Sequence, residues 1–468
     1  MPPGPWGLPI LGYLPFMDSV RPQYTLQKLR DQYGHIFSIN IVQGRSIIYL
    51  CDPELINEAF NMPEFLPRPE SFLFHVGLGG GGLLANEGQV WMDNRRFTLK
   101  ALRDFGFGKK TLNDTAMNDV LQVVDCFRRK LGKPTDVGAD LNIAIISTLW
   151  KLVANVEWTH DNPEYHKLFE EMTGSFDSAA KIPTVMFHAW TEPLTFWKSG
   201  KEALACIYKF IDHFTAIFRN EVESHKQQSH SISNDYIDSY LKEIERLKLH
   251  GKEHPSINEK QLYLNIRSLF LAGSETTSTT IRWALYFLIE NPEIQQRCFE
   301  EIEKVIGLHR NPHMDDRGTL PYTEAFIKEV NRCCNVLPFG VFHAVRQDVW
   351  FKGYLFPKGS WVIGNQYSCH MDPKYFSNPS KFDPTRFLDE EGKLRKTVPG
   401  YIPFGSGKRQ CLGESLAKIE LFLFITTLIQ QFKFLKPEKC YHKYAECPPS
   451  VALVNHPPPF SLIIQNRE

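Results

Sequence analysis

The feature that most constrains the fold is a long succession of helical patterns in the middle of the chain. Between about residues 88 and 310, apolar side chains recur with the 3.6-residue period of an α-helix. The predicted helices cover 111–131, 141–158, 203–227, 235–250, 258–290 and 292–306, and another covers 413–431. No repeat or low-complexity tract separates them, so residues 1–468 are predicted to form a single domain.

Short strand patterns flank the helical part. Two of them, 36–41 and 46–50, are predicted to form a hairpin, and 451–454 and 460–464 a second, terminal one. Further strands are predicted at 349–351, 354–356 and 361–363, and coil over the Pro- and Gly-rich stretch 371–410. The fold class is therefore mainly α with small β-sheets (α+β): one large helical domain with a minor β-rich side.

Composition narrows the class of protein. Lys+Arg and Asp+Glu both number 53, and this zero net charge gives no support to nucleic-acid binding. Ten cysteines are scattered without a CxxC pair, which indicates a reducing compartment, and nine of them are interpreted as small buried hydrophobes. No apolar segment reaches eighteen residues. The Pro/Gly-rich lead, residues 1–12, is expected to follow an N-terminal membrane anchor that this sequence lacks.

Cys411 is the exception among the cysteines. It ends a Gly-rich loop, Phe404 to Gly413, and a predicted helix follows at once. Thiolates are favoured by a helix N-terminus and by basic neighbours, here Lys408 and Arg409. The glycines allow the backbone to approach something large and flat. This combination suits a cysteine thiolate that ligates haem iron.

A second unusual segment is Leu271-Ala272-Gly273-Ser274-Glu275-Thr276-Thr277-Ser278-Thr279-Thr280, inside the helix predicted over 258–290. Hydroxyl side chains in a helix can bond the carbonyls one turn back and open the ladder, which near Gly273 would make room for O₂. Glu275 and Thr276 would then supply an acid and a hydroxyl for proton delivery. The alternative is a Ser/Thr-rich exposed face.

Three further groups of residues complete the pattern. Glu329 and Arg332 are spaced to pair on one helix face, and with Arg386 they could clamp the coil ahead of Cys411. Trp91 and Arg95 share a helix face and are suitable donors to a haem propionate. The remaining propionate candidates are Arg409 and His343, and an ordinary core or surface histidine is an equal alternative for His343.

These motifs resemble those of the cytochrome P-450 family, particularly its large microsomal group that metabolises drugs and steroids. The resemblance covers essentially the whole chain, with five motifs in the family's order: Trp91-x-x-x-Arg95, Ala272-Gly273-x-Glu275-Thr276-Thr277, Glu329-x-x-Arg332, Pro384-x-Arg386-Phe387 and Phe404-x-x-Gly407-x-Arg409-x-Cys411-x-Gly413. It implies the P-450 fold around haem b, with Cys411 as the metal ligand. The other implied cofactor-binding residues are Trp91, Arg95, Ala272, His343, Phe404, Arg409 and Gly413, and the implied catalytic residues are Thr276 and Glu275.

The resemblance also implies a reaction and its partners. One oxygen atom from O₂ would be inserted into a lipophilic small molecule of steroid, fatty-acid or xenobiotic type. The chain has no flavin or nicotinamide motif, so two electrons would come from NADPH through NADPH-cytochrome P-450 reductase, with a cytochrome b-type donor as a second source. The implied location is the cytoplasmic face of the endoplasmic reticulum membrane, with the protein associated with the membrane surface.

Two parts of the molecule are expected to meet these partners. Pocket walls are predicted at 68–85, 168–196, 266–276, 336–342 and 451–455. Their apolar lining is predicted to include Phe72, Phe74, Phe270, Leu337, Phe339 and Val341. Each of these residues could equally belong to the hydrophobic core. A basic face for docking an acidic redox partner is predicted to consist of Arg95, Arg96, Lys100, Arg103, Lys109, Lys110 and Lys408. The alternative is that these charges are ordinary solvated surface.

Two rival functions stay open at this point. One is a haem-thiolate hydroperoxide isomerase or dehydratase that needs no reductase. The Glu275–Thr276 pair argues against it, since that chemistry needs no proton relay to dioxygen. The other is a non-enzymatic haem sensor.

Overall fold

The computed structural model describes residues 1–9, 11–18, 21–41, 45–71, 74, 80–106, 112–181, 198–228, 234–249, 251, 254–438 and 454–467. Its helices are α1 (Pro22–Tyr33), α2 (Pro53–Asn61), α3 (Gly82–Ala85), α4 (Gly88–Asp104), α5 (Leu112–Arg128), α6 (Gly138–Ala154), α7 (Pro163–Lys181), α8 (Lys198–Gln228), α9 (Tyr236–Leu249), α10 (Glu259–Glu290), α11 (Pro292–Val305), α12 (Pro321–Cys334), α13 (Gln366–His370) and α14 (Glu414–Gln431). Its strands are β1 (Ile36–Asn40), β2 (Ser46–Leu50), β3 (Pro134–Thr135), β4 (His343–Ala344), β5 (Val349–Phe351), β6 (Tyr354–Phe356), β7 (Trp361–Gly364), β8 (Phe432–Leu435) and β9 (Leu462–Asn466).

Helix boundaries follow local chemistry. Asp52 caps α2 by accepting hydrogen bonds from the backbone N–H groups of Glu54 and Leu55. Asn258 caps α10 in the same way through the N–H of Gln261. Pro292 is the first residue of α11, as predicted. An N–H at this position has no intrahelical acceptor, so proline loses no hydrogen bond there. All seven predicted helices are present.

The central helix is α10, which packs against α6, α12 and α14. Its Ser and Thr side chains are largely buried, so the alternative of an exposed Ser/Thr face is wrong. Several bond carbonyls one turn back, as the hydroxyls of Ser274 and Ser278 do at 2.8 and 3.0 Å. These bonds satisfy the hydroxyls, and α10 is assigned as one helix from Glu259 to Glu290.

The strands form three small sheets. The four-stranded sheet has the order β1-β2-β7-β4, and its β1–β2 hairpin confirms the prediction. The strands predicted at 349–351 and 354–356 are confirmed, and they pair as a two-stranded ribbon, β5–β6. The second strand of the predicted terminal hairpin is present as β9, which pairs with β8 and β3. Its intended partner is 451–454, of which 451–453 lie outside the described residues.

A buried ionic cluster fixes the coil ahead of the Gly-rich loop. Arg332 and Glu329 are both fully buried and joined by two hydrogen bonds of 2.7 Å. Arg386 adds a third contact, its Nε lying 3.3 Å from Glu329 Oε1. Arg332 also donates to the carbonyls of Pro379 and Lys381 in the coil and to that of His370 at the end of α13. The predicted clamp is therefore present.

Two smaller predictions can be compared with the structure. Among the described residues, no helix is long and apolar enough to cross a bilayer. Of the nine cysteines interpreted as buried hydrophobes, Cys206 and Cys333 are only partly buried. Cys440 and Cys447 lie outside the described ranges, and the other five are buried.

Candidate active site

Cys411 lies at the floor of a cavity, directly before α14. Its loop is held by short hydrogen bonds, from the N–H of Cys411 to Phe404 O (3.0 Å) and from that of Lys408 to Phe60 O (3.1 Å). Gly407 has φ +78° and packs so tightly that a Cβ there would lie 2.5 Å from Phe60 O. The loop therefore packs closely against Phe60, and Cys411 lines the cavity.

Opposing effects act on the pKa of the Cys411 thiol. Enclosure by protein raises the pKa, and the nearby Glu414 carboxylate adds to this. The backbone N–H groups of Gly413 and Glu414, together with Arg95, lower it by less. The helix N-terminus thus acts in the predicted direction, and the Cys411 side chain is exposed where it borders the cavity. A metal ion would itself deprotonate the thiol on coordination.

One edge of the cavity is strongly cationic. The guanidinium of Arg409 lies 4.3 Å from the ring centroid of Trp91, and that of Arg95 lies 5.8 Å from the same ring. Arg95 also donates to Gln410 O at 2.6 Å. Burial is the main cause that lowers the pKa of Arg409, to about 9, with Arg95 contributing. The structure therefore brings the predicted propionate donors Trp91, Arg95 and Arg409 together.

Arg409 carries unused hydrogen-bond donors. Its Nη2 donates to Asn86 O at 2.5 Å, but Nε and Nη1 are buried and have no partner among the described residues. Buried donors without partners are rare because leaving them unpaired is costly. An anionic group bound in the cavity would satisfy them, so this edge fits a haem propionate.

His343 is buried in the same wall. Its Nδ1 donates to Phe65 O at 2.5 Å, and its ring stacks on Phe60 with centroids 3.8 Å apart. Burial, reinforced by the Arg68 charge, holds the pKa of His343 well below its usual range, so the ring is neutral. His343 lines the cavity, where a propionate could reach it, and its Nδ1 is satisfied as in an ordinary core histidine, so its role as a propionate donor stays a prediction.

Sequence reasoning missed Arg68. It is 5% exposed, lines the cavity and donates to the backbone carbonyls of Leu84, Val341 and Phe342. These bonds tie three wall segments together. The available signal was an arginine between Pro67 and Pro69, where both prolines restrict the backbone.

The wall formed by α10 presents small residues. Ala272 is exposed although its helix is mostly buried, because it borders the cavity. The Thr276 hydroxyl, also in this wall, donates to Ala272 O at 2.8 Å. Gly273 lies against α6, where a Cβ would be 2.7 Å from Leu149 Cδ2. A flat group could therefore lie close to this helix.

Glu275 faces elsewhere. It is 3% exposed, is not among the residues that line the cavity, and accepts hydrogen bonds from Asn142 Nδ2 (3.2 Å) and the Thr279 hydroxyl (3.3 Å). His456 Nδ1 lies 3.4 Å from its Oε1. The structure therefore separates Glu275 from the other predicted site residues.

The remaining lining is largely apolar. Leu337, Phe339 and Val341 line the cavity, whereas Phe270 belongs to the core with Trp150 and Phe214. Phe74 is buried beneath the Arg68 guanidinium, 6.0 Å from its ring centroid. Parts of the predicted walls lie outside the described residues: 72–73, 75–79, 182–196 and 451–453. The described residues 168–175 and 454–455 do not line the cavity, so the prediction is wrong there. The cavity thus joins a thiol floor, a cationic edge and apolar walls, an arrangement that fits the haem of a thiolate-ligated oxidoreductase.

Comparison with known proteins gives the same class. A family model described as Cytochrome P450 matches residues 2–464. Cytochrome P450 2J3 of Rattus norvegicus is 35% identical over 444 residues, 93% of this chain and 86% of the relative. Cytochrome P450 2B4 of Oryctolagus cuniculus is 33% identical over 442 residues (93% and 88%), and Cytochrome P450 18a1 of Drosophila melanogaster 34% over 453 residues (94% and 82%). The chain therefore belongs to the cytochrome P450 family.

Family membership confirms several predictions. The mainly α fold with small sheets is that of the family, and the protein is a haem-thiolate monooxygenase, an oxidoreductase. It uses haem, receives electrons from a partner and acts on a small molecule.

Proposed function

We propose that this monooxygenase hydroxylates a lipophilic small molecule with electrons that pass from NADPH through a flavin-containing reductase at the cytoplasmic face of the endoplasmic reticulum. The observation that carries the proposal is the arrangement of one cavity, in which the Cys411 thiol, the unpaired Arg409 donors and the Thr276 hydroxyl all border an apolar space. An apolar wall selects a lipophilic substrate, because polar groups would lose their hydration there.

We assign the residues as follows. Cys411 would ligate the iron, and Arg409, Arg95 and Trp91 would hold propionates at the cationic edge. His343 and Arg68 would complete that edge, while Ala272, Phe404 and Gly413, which also line the cavity, would contact the macrocycle. Bound haem supplies the oxygen activation, which a thiolate ligand promotes by pushing electron density onto iron.

Proton handling divides between two residues. Thr276 is placed to hold a proton at the cavity wall, because its hydroxyl is anchored on Ala272 O and borders the space. Glu275 lies behind it in a polar cluster with Asn142 and Thr279. We therefore assign Glu275 as a proton store that would have to turn before it could reach the cavity.

The electron donor is inferred from charge. Arg96, Lys100 and Arg103 are exposed on α4 at spacings of four and three residues, so they form one basic stripe. Lys408 is also exposed. Arg95 leaves the predicted docking set because it belongs to the cavity wall, and Lys109 and Lys110 lie outside the described residues. An acidic face of a reductase, or of a cytochrome b-type donor, would complement this stripe.

The test begins with the ferrous CO spectrum. The haem-loaded protein should show the thiolate-type absorption band, and Cys411→Ala should lose it while remaining folded by circular dichroism. The wild-type protein should then form hydroxylated product from a panel of lipophilic compounds only with reductase and NADPH. Turnover of hydroperoxides alone would instead indicate an isomerase, and a folded wild type without the thiolate band would overturn the assignment of Cys411.

A further inference from the structure

Three side chains of types that ligate metal ions meet outside the cavity, where α5, the first turn of α6 and the turn ahead of α7 come together. They are Cys126, Asp140 and His160. One potential ligand atom of each, a sulfur, a carboxylate oxygen and an imidazole nitrogen, lies within 4.8 Å of the other two. Cys126 and Asp140 are each 7% exposed and His160 is half-buried, so the group is enclosed by protein but can be reached from solvent at the histidine.

The spacing of the three atoms suits a small cation with tetrahedral coordination. Sulfur, nitrogen and oxygen ligands lie about 2.0–2.3 Å from Zn²⁺, which places them about 3.2–3.8 Å from one another. Side-chain rotations that close the group by at most about 1.5 Å therefore bring all three into contact with one ion. Zn²⁺ matches this set because thiolate and imidazole are its usual ligands, whereas Mg²⁺ and Ca²⁺ prefer oxygen alone. Three protein ligands leave the fourth position to water.

Hydrogen bonds hold the histidine and its turn in place. Nε2 of His160 lies 2.9 Å from Asp140 O, and Nδ1 lies 3.4 Å from Gln122 Oε1 on α5. The ring of His166 donates to His160 O at 2.6 Å and so fixes the backbone of the turn. A metal-ligating histidine needs such support, since a carbonyl that accepts from one ring nitrogen leaves the other with its lone pair. The Asp140 carbonyl supplies this support.

Two cations at the site compete with a metal ion. Lys130 Nζ lies 2.6 Å from Asp140 Oδ2, and Arg129 Nη2 lies 3.8 Å from Cys126 Sγ. Both side chains reach the surface, Lys130 with 36% of its side-chain area exposed, so they can move into water at small cost. Burial is the main cause that raises the pKa of the Cys126 thiol, and the Asp140 charge adds to it. A coordinated metal ion deprotonates such a thiol, and the thiolate and the carboxylate then balance the double charge of the ion.

We propose that Cys126, Asp140 and His160 bind Zn²⁺ and thereby tie α5 and α6 to the turn ahead of α7. The exchange balances: zinc forms bonds to sulfur, oxygen and nitrogen, the thiol proton passes to solvent, and the Lys130 ammonium leaves Asp140 for water. No electron is transferred. The proposal goes beyond the proposed function and does not depend on it, since none of these residues borders the cavity.

The first test measures the Kd for Zn²⁺ of the haem-loaded full chain by isothermal titration calorimetry. We expect a Kd at least about 100-fold higher in Cys126→Ala than in wild type, because loss of a supporting group alone costs roughly 10–100-fold. Cys206→Ala is the matched control, since Cys206 is partly buried on another helix, α8, and this variant should bind zinc as wild type does. Equal affinities of wild type and Cys126→Ala would overturn the proposal.

A second variant predicts a change of opposite sign. Lys130→Met removes the cation that competes for Asp140, so it should lower the Kd for zinc by about fivefold, the most that a partly exposed ion pair contributes. Lys133→Met, which removes an equal charge from an exposed residue of the same connection between α5 and α6, should change the Kd by less than about twofold. Lys130→Met keeps all three ligands, so this test stands even if Cys126→Ala fails to fold. A Kd that stays the same or rises in Lys130→Met would show that Asp140 is not a ligand and would refute the site.

X-ray absorption at the zinc edge identifies the ligands directly. The zinc-loaded wild type should show one sulfur neighbour at about 2.3 Å and nitrogen or oxygen neighbours at about 2.0–2.1 Å. Cys126→Ala in excess zinc should lack the sulfur neighbour. A wild-type spectrum with nitrogen and oxygen neighbours alone would show that zinc is bound elsewhere on the surface, and the proposal would be refuted.

Discussion

Among single residues, Arg409 connects an unusual local environment to cofactor binding. Its Nε and Nη1 are buried without partners, so a bound propionate would gain two charge-assisted hydrogen bonds. Each such bond is worth about 1.5–3 kcal/mol. Arg409→Met should therefore speed haem transfer to an excess of apomyoglobin by at least about tenfold. Lys436→Met, which removes an equal charge from a surface pair with Glu290, should leave that rate unchanged. Equal rates in the two variants would show that Arg409 does not hold the cofactor.

Arg332 illustrates the opposite case, a residue that stabilises the fold without touching the cavity. Arg332→Ala should lower the free energy of unfolding by about 3–5 kcal/mol, because Glu329 would stay buried after losing its closer cationic partner. Lys393→Ala, which breaks an exposed pair with Glu391, should cost less than about 1 kcal/mol. Denaturant titration of the haem-loaded variants measures both.

The double variant Glu329→Gln/Arg332→Met separates charge from geometry in this cluster. It should recover only part of the loss, since Arg332 also donates to the carbonyls of His370, Pro379 and Lys381. Full recovery would mean that those backbone bonds contribute nothing.

Single site residues could be predicted from the sequence where they belong to a motif with a characteristic spacing. Cys411 and Arg409 lie in a Gly-rich loop whose spacing determines what they face. Arg68 stands out in the sequence only through its two flanking prolines, and its role could not be predicted because its partners Leu84, Val341 and Phe342 are far away in sequence. The side-chain direction of Glu275 was equally out of reach, since it depends on Asn142 of another helix.

At the level of elements, the contact between α10 and α6 depends on Gly273. Alanine in a helix interior is normally better than glycine by up to about 1 kcal/mol. Here its Cβ would lie 2.7 Å from Leu149 Cδ2, and such overpacking costs about 1–3 kcal/mol. Gly273→Ala should therefore be destabilising alone but neutral or stabilising in the background Leu149→Val. The two single variants and the double variant give the coupling energy by denaturant titration. A stabilised single variant would mean that Leu149 simply moves aside.

Helices and sheets differed in how far they could be predicted. The helices α5, α6 and α8 to α11 follow from a local 3.6-residue period, and α14 does as well. Strand pairing is non-local, so the pairing of β9 with β8 and β3 could not be predicted from the terminal segment alone. The sequence also did not decide whether the Ser and Thr side chains of α10 face the core or the solvent. Both residue types are compatible with either environment until their bonds to carbonyls are known.

For the whole molecule, the distribution of charge matters more for binding a reductase than the net charge does. The net charge is zero, so attraction of a reductase must come from local charge such as the stripe Arg96, Lys100 and Arg103. Lys100→Glu/Arg103→Glu should raise the Kd for reductase by about tenfold or more at low salt. The effect should shrink near 1 M salt, where the Debye length is about 3 Å. The measurement is a titration of turnover with reductase at two ionic strengths.

The matched control for this stripe makes the same charge change on other elements. Lys304→Glu/Lys433→Glu alters exposed residues of α11 and β8 and should leave the Kd near the wild-type value. Neither pair borders the cavity, so the CO spectrum of both double variants should match wild type. If both double variants weaken reductase binding equally, the partner responds to net charge, and the α4 stripe is not its docking site. A loss confined to the α4 variant would instead place the electron donor against the helix whose other face carries Trp91 and Arg95, at the cationic edge of the cavity.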